Sequence, residues 1–251
     1  MRRRHRHLNA RDLGAKLVLD ARHIDQSDNT AVSTWADRSG NGWDATQGTA
    51  ANQPTFQTAE FGGNGVVRFD GSNDFLALSG GGLDLLKNVS GAAALVSIKY
   101  TTTSGVRIAF LATVGNSTAV RFGVLANVVS GQLHGNARRI DGNAGAGLNA
   151  GAFSANDILL QFHNVDYVGG TQVVFKNGTQ EGNNSLASSG GNTSNTASQE
   201  IVVGNSADRG NFPQPMSGDI GQIAVWNTAL TASQRKRAHH AAAFSFKVSC
   251  N

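Results

Sequence analysis

The 251-residue chain is 39% hydrophobic, with 31 glycines and only 15% charged residues, which allows one large core and favours short strands joined by tight turns. A single cysteine, Cys250, excludes an internal disulfide and a cysteine-built zinc site, and no apolar run reaches the ~18 residues a membrane helix needs. The formal charge of +4 is concentrated in residues 1–16, and the near-neutral body argues against a broad nucleic-acid footprint.

Residues 1–16 read as a basic arm, without the apolar core of a secretion signal. Arg2, Arg3, Arg4 and Arg6 suit paired hydrogen bonds to carboxylates, and Leu8 and Leu13 suit shallow apolar pockets. The arm is therefore expected to order only when docked on a partner subunit. From residue 17 onward, apolar runs alternate with turn clusters at 17–20, 66–69, 75–78, 92–100, 106–114, 120–129, 158–165, 171–176, 200–203 and 220–226, the spacing of a two-sheet sandwich. Asn177-Gly178 is a two-residue hairpin signal, because both residues tolerate positive φ. Residues 183–198, almost wholly Asn, Ser, Gly, Thr and Ala, are expected to form a long exposed loop. Thr231 and Gln234 form a capping box that opens a short helix over 232–243. These elements predict one sandwich over 17–243 with a tail at 244–251. Trp35 and Trp226 are expected to fill the space between the sheets, each indole N–H needing a buried acceptor.

Three segments resemble the laminin-G-like, concanavalin A-like jelly rolls of bacterial surface proteins and phage virion proteins. The first is Leu17-Val18-Leu19-Asp20, followed by Trp35-Ala36-Asp37-Arg38-Ser39-Gly40-Asn41-Gly42 with Asp44-Ala45-Thr46. The second is Val66-Val67-Arg68-Phe69-Asp70-Gly71-Ser72-Asn73-Asp74-Phe75-Leu76, and the third is Gly218-Asp219-Ile220-Gly221-Gln222-Ile223-Ala224-Val225-Trp226-Asn227. The resemblance implies an all-β fold, a two-sheet antiparallel jelly-roll sandwich with a short C-terminal helix. It also implies calcium as a candidate cofactor at the sandwich rim, on Asp70, Asn73 and Asp74 or on Asp37, Ser39 and Asp44. The plainer reading of both loops is Asx-turns.

Glucanases of similar fold carry a Glu-x-Asp-x-x-Glu strand, which this sequence lacks. None of Glu60, Glu181 and Glu200 has a carboxylate two or four residues away, as a retaining pair on one strand face would require. There is no Gly-x-Ser-x-Gly, and His23, His134 and His163 are isolated in sequence. No catalytic residue is expected. Sugar contact would fall to Trp43 beside Asn41 and Asp44, unless Trp43 folds back on the sandwich edge.

The sequence reading is thus a non-enzymatic virion component of a tailed phage, such as a capsid decoration, collar or tail-fibre-associated subunit. It would be made in the host cytoplasm, assemble with other virion proteins or with copies of itself, and contact host glycans. A stand-alone carbohydrate-binding module is one alternative, and a capsid protein whose arginine arm grips nucleic acid is the other.

Overall fold

The structure, a computed structural model, describes residues 10–115 and 119–249. In chain order the strands are β1 (Leu17–Asp20), β2 (Thr34–Trp35), β3 (Ala45–Thr46), β4 (Thr55–Glu60), β5 (Asn64–Asp70), β6 (Leu76–Leu78), β7 (Gly91–Tyr100) and β8 (Arg107–Thr113). They continue as β9 (Val120–Ala126), β10 (Gln132–Ala137), β11 (Ala146–Ala152), β12 (Ile158–Asp166), β13 (Thr171–Lys176), β14 (Thr179–Ser185), β15 (Glu200–Val203) and β16 (Ser217–Trp226), before helix α1 (Ala232–Phe246). The first sheet runs β14-β13-β12-β7-β16-β5-β4, with β1 also paired to β16, and the second runs β11-β10-β9-β8-β15-β6-β3-β2. All pairings are antiparallel, giving the jelly-roll sandwich.

The two faces of the first sheet are both buried, which explains why its central strands lack polar alternation. On β7, Ala92, Ala94, Val96, Ile98 and Tyr100 enter the inter-sheet core. Ala93 and Leu95 point the other way, into a second cluster beneath α1 with Phe162, Phe175, Trp226, Ala238, Ala242 and Phe246. Alanines on the inner stripe of α1 let the helix lie close to the sheet. Its first turn is held by the reciprocal capping box of Thr231 and Gln234. The helix runs three residues beyond 243 because Phe246 is anchored edge-on to Phe61, with ring centroids 6.2 Å apart. Phe246 also lies on Gly221, where an added Cβ would come within 2.6 Å of its ring. The expected tail boundary at 244 therefore moves outward.

Several further expectations change. Trp226 lies in the outer cluster rather than between the sheets, and its indole N–H donates to the Leu13 carbonyl at 3.0 Å. Trp35 does enter the inter-sheet core, but its N–H is buried with no acceptor among the described residues. Residues 10–16 belong to the sandwich: Ala10 and Ala15 are buried, Leu13 packs on the outer cluster, and the Lys16 amide donates to Val225 at 2.7 Å. Leu13 is thus engaged by its own chain, while Arg2, Arg3, Arg4, Arg6 and Leu8 lie outside the described residues. The segment 183–198 is not one exposed loop. It begins within β14, and Leu186, Thr193 and Ser198 are buried, with the Thr193 hydroxyl donating to Leu86 and accepting from the Val89 amide.

Arg121, which the sequence reading passed over, fastens this segment. It sits where β8 and β9 shift register, is 0% exposed, and donates to both Asp141 carboxylate oxygens and to the Thr196 carbonyl and hydroxyl. Burial alone would raise the Asp141 pKa, but hydrogen bonds from Thr196 and Arg121 outweigh it and hold the carboxyl below its usual range.

Truncating Trp226 to Ala should cost about 3–5 kcal/mol and release residues 10–16, read as a lower denaturation midpoint with faster amide exchange at Leu13. Two buried histidines set an acid limit. Burial pushes His163 and His239 from 6.5 down to about 4, so between these values the unfolded chain binds more protons than the folded one. Stability should fall as pH drops from about 6.5 to 4, by on the order of 3 kcal/mol per ring. Asp74, pushed up by burial to about 6, offsets part of this loss. Because the buried Nε2 of His239 has no partner among the described residues and the ring packs on Phe162 and Phe175, His239→Leu should flatten the decline in Tm measured across that range.

Candidate functional site

The first sequence-predicted loop spends its polar groups on itself. Asp37 Oδ1 accepts from the amides of Val18 and Ser39, and its Oδ2 accepts from the Ser39 hydroxyl and the Trp43 amide. Asp44 Oδ1 accepts from the Asp37 amide, while Asn41 Nδ2 donates to the Lys16 carbonyl. Trp43 is half-buried against the inter-sheet core, and its indole crosses Gly81 and Gly82, where an added Cβ would come within about 3.3 Å of it. It has folded back on the sandwich edge, so Trp43, Asn41 and Asp44 do not form an open sugar platform.

The second loop is also a turn. Asp70 Oδ1 accepts from the Ser72 and Asn73 amides, Asp74 Oδ2 accepts from the Asp70 amide, and Asn73 Nδ2 donates to Ala51 and Asn52. Calcium would have to compete with these bonds, and among the described residues no group of three or more His, Cys, Asp or Glu gathers as metal ligands would. Beside this loop a cleft of about 430 Å³ is lined by Arg68, Asp70, Asp74, Thr101 and Ser217. Arg68 donates to Asp219, Glu60 and Gln57, and Thr101 is paired with Ser217. Glu60 and Asp219, distant in sequence, meet here through Arg68 and Lys99, a carboxylate cluster that sequence spacing did not disclose. Both carboxylates are held by cations.

The second sheet differs because no helix among the described residues covers its outer face. Register aligns two rungs there: Ile108, Leu125, His134 and Asn149 in one, and Leu111, Gly123, Asn136 and Gly147 in the next. Over the glycines flanking Asn136, the side chains of the neighbouring rung lean in. An added Cβ at Gly123 would lie 2.8 Å from Leu125, and one at Gly147 would lie 2.9 Å from the His134 ring. The cleft on this face, of about 370 Å³, has an aliphatic floor and wall of Val106, Leu111, Val120, Leu125 and Val128, with His134, Asn136 and Gln214 as its polar groups. The loop 204–216 closes the end nearest Val202, fixed by Arg209, which pairs with Glu200 at 2.7 Å and lies over Phe75.

One acceptor in this cleft remains unspent among the described residues. His134 Nδ1 lies 2.7 Å from Asn149 Oδ1; an amide oxygen only accepts, so Nδ1 carries the proton and Nε2 presents its lone pair. Burial lowers the pKa of the ring, against the hydrogen bond to Asn149, and favours this neutral form. Asn136 Oδ1 also has no hydrogen-bond partner among the described residues, but it is buried. Little in the sequence points to this site, since His134 and Asn136 stand in a Gly- and Asn-rich stretch with no strand signature.

No family model and no curated protein matches the sequence. Among solved structures, the chain is similar to the CBM40 of the Ruminococcus gnavus IT-sialidase bound to α2,3-sialyllactose, with a TM-score of 0.52 and 14% identity over 83% of this chain and 94% of that one. It is similar to the binding domain of botulinum neurotoxin serotype D, with a TM-score of 0.63 and 11% identity over 91% of this chain and 51% of that one. It is also similar to a Trypanosoma rangeli sialidase in complex with 2,3-difluorosialic acid, with a TM-score of 0.57 and 12% identity over 90% of this chain and 33% of that one. At such identities the likeness establishes the fold, a β-sandwich of jelly-roll type. The laminin-G-like name itself finds no support beyond that fold.

Because Trp43 covers the sandwich edge, Trp43→Ala should lower stability by about 1.5–2.5 kcal/mol, half the cost at a fully buried aromatic. Adding calcium or a chelator should leave the melting temperature unchanged, since only a ligand bound by the native state would shift it; both are read by calorimetry.

Proposed function

We propose that the protein is a non-enzymatic glycan-binding module whose site is the cleft on the outer face of the second sheet. One observation carries the reading: among the described residues His134 Nε2 has no hydrogen-bond partner and, with the Asn136 and Gln214 amides, borders an aliphatic surface. That combination suits a sugar, which offers hydroxyl donors on its edge and C–H groups on its face, in a concave site of the size range typical for small ligands, roughly 300–1,000 Å³. The similarity to a carbohydrate-binding module solved with sialyllactose supports it. None of the neighbours described is a virion protein, and the reading as a stand-alone binding module is preferred to a tailed-phage component. A hydrolytic reading finds little support, because Glu60 and Asp219 are tied to Arg68 and Lys99.

The full chain applied to a glycan array should bind a restricted set of sugars. His134→Phe should weaken that binding at least tenfold, about 1.4 kcal/mol, with the fold retained by circular dichroism, whereas Trp43→Ala should leave the affinity unaltered. Absence of binding to any glycan, or full binding by the His134 variant, would overturn the assignment.

A further inference from the structure

Resting on that glycan reading, we infer that the cleft selects uncharged sugars and rejects sialosides and uronates. Of the polar groups lining the cleft, His134 Nε2 is an acceptor, and the side-chain amides of Asn136 and Gln214 are uncharged. A hydroxyl can donate to His134 and exchange bonds with either amide. A carboxylate at neutral pH only accepts, and would set its own lone pairs against that of His134.

Charge reinforces this choice. No Arg or Lys lines the cleft among the described residues. The cations nearest in sequence serve other partners: Arg107 Nη1 donates to the Pro215 carbonyl, Arg121 holds Asp141, Arg138 Nη1 donates to the Asp141 carbonyl, and Arg209 pairs with Glu200. A carboxylate moved from water onto the Leu111, Val120 and Leu125 surface would therefore lose hydration without gaining a counter-charge. A neutral ring gives up only hydroxyl hydration, which the cleft replaces. The chain would thus share a fold with a module solved on sialyllactose while differing from it in ligand class, since the sheet supplies the scaffold and the side chains on its rungs supply the selectivity.

The test follows the imidazole nitrogens of the full chain by nitrogen NMR at neutral pH while titrating two panels. The uncharged panel holds the methyl glycosides of glucose, galactose, mannose, fucose and N-acetylglucosamine; the acidic panel holds methyl α-sialoside and methyl β-glucuronide. At least one uncharged sugar is expected to shift the His134 Nε2 resonance, with both acidic sugars at least tenfold weaker. A His134 shift with an acidic sugar at equal or higher affinity would overturn the selectivity and leave the glycan site standing. No shift with either panel, together with an empty array, would remove the glycan reading and this inference with it. Gln214→Arg supplies a second check: placing a cation at the rim should bring the acidic sugars toward the affinity of the neutral ones, and an unchanged preference would count against the charge argument.

Discussion

Burial of the β7–β16 pair on both of its faces is the constraint from which the rest of the architecture follows. One face of these strands closes the inter-sheet core, and the other is covered by α1 and by residues 10–16. Both neighbours must therefore be apolar and close, which is why the helix meets the sheet through alanines and why Gly221 lies beneath Phe246. At the far end of its outer face, Arg68 and Lys99 neutralise Asp219, a carboxylate with no exposed surface. Removing one member would leave a buried charge without its partner, a far larger cost than the net worth of the cluster.

Among the described residues the second sheet has no such cover, and the difference creates the site. Its outer apolar patch of Ile108, Leu111, Val120, Leu125 and Val202 is shielded at one end by the loop that Arg209 pins, and is left as a cleft at the other. Elsewhere in the molecule the rim loops use their hydrogen-bonding capacity on backbone amides: Asp37 accepts three such bonds and Asp70 two. A polar atom left unpaired beside an apolar surface is therefore informative here. Among the described residues Trp35 and His239 also carry an unpaired nitrogen, but both are closed inside the protein, whereas His134 borders a cleft.

The fold class, the Asn177-Gly178 turn and the helix cap were legible in the sequence because each rests on neighbouring residues. Asn177 and Gly178 take φ of 51° and 90° whatever the rest of the chain does, and Thr231 reaches Gln234 within a single turn. The apolar runs at β7, β12 and β16 likewise announce strands buried on both faces. The strands β10, β11 and β14 did not show themselves, since Gly, Asn and Ala carry little intrinsic preference for extended structure and are held there by pairing. The sequence by itself thus determined a two-sheet sandwich with a capped helix. Only the tertiary structure decided that Trp226 lies under that helix, that Trp43 is a lid on the sandwich edge, and that His134 stands between Leu125 and Asn149. Those outcomes depend on strand register and sheet order, which join residues far apart in the chain and leave no local pattern to read.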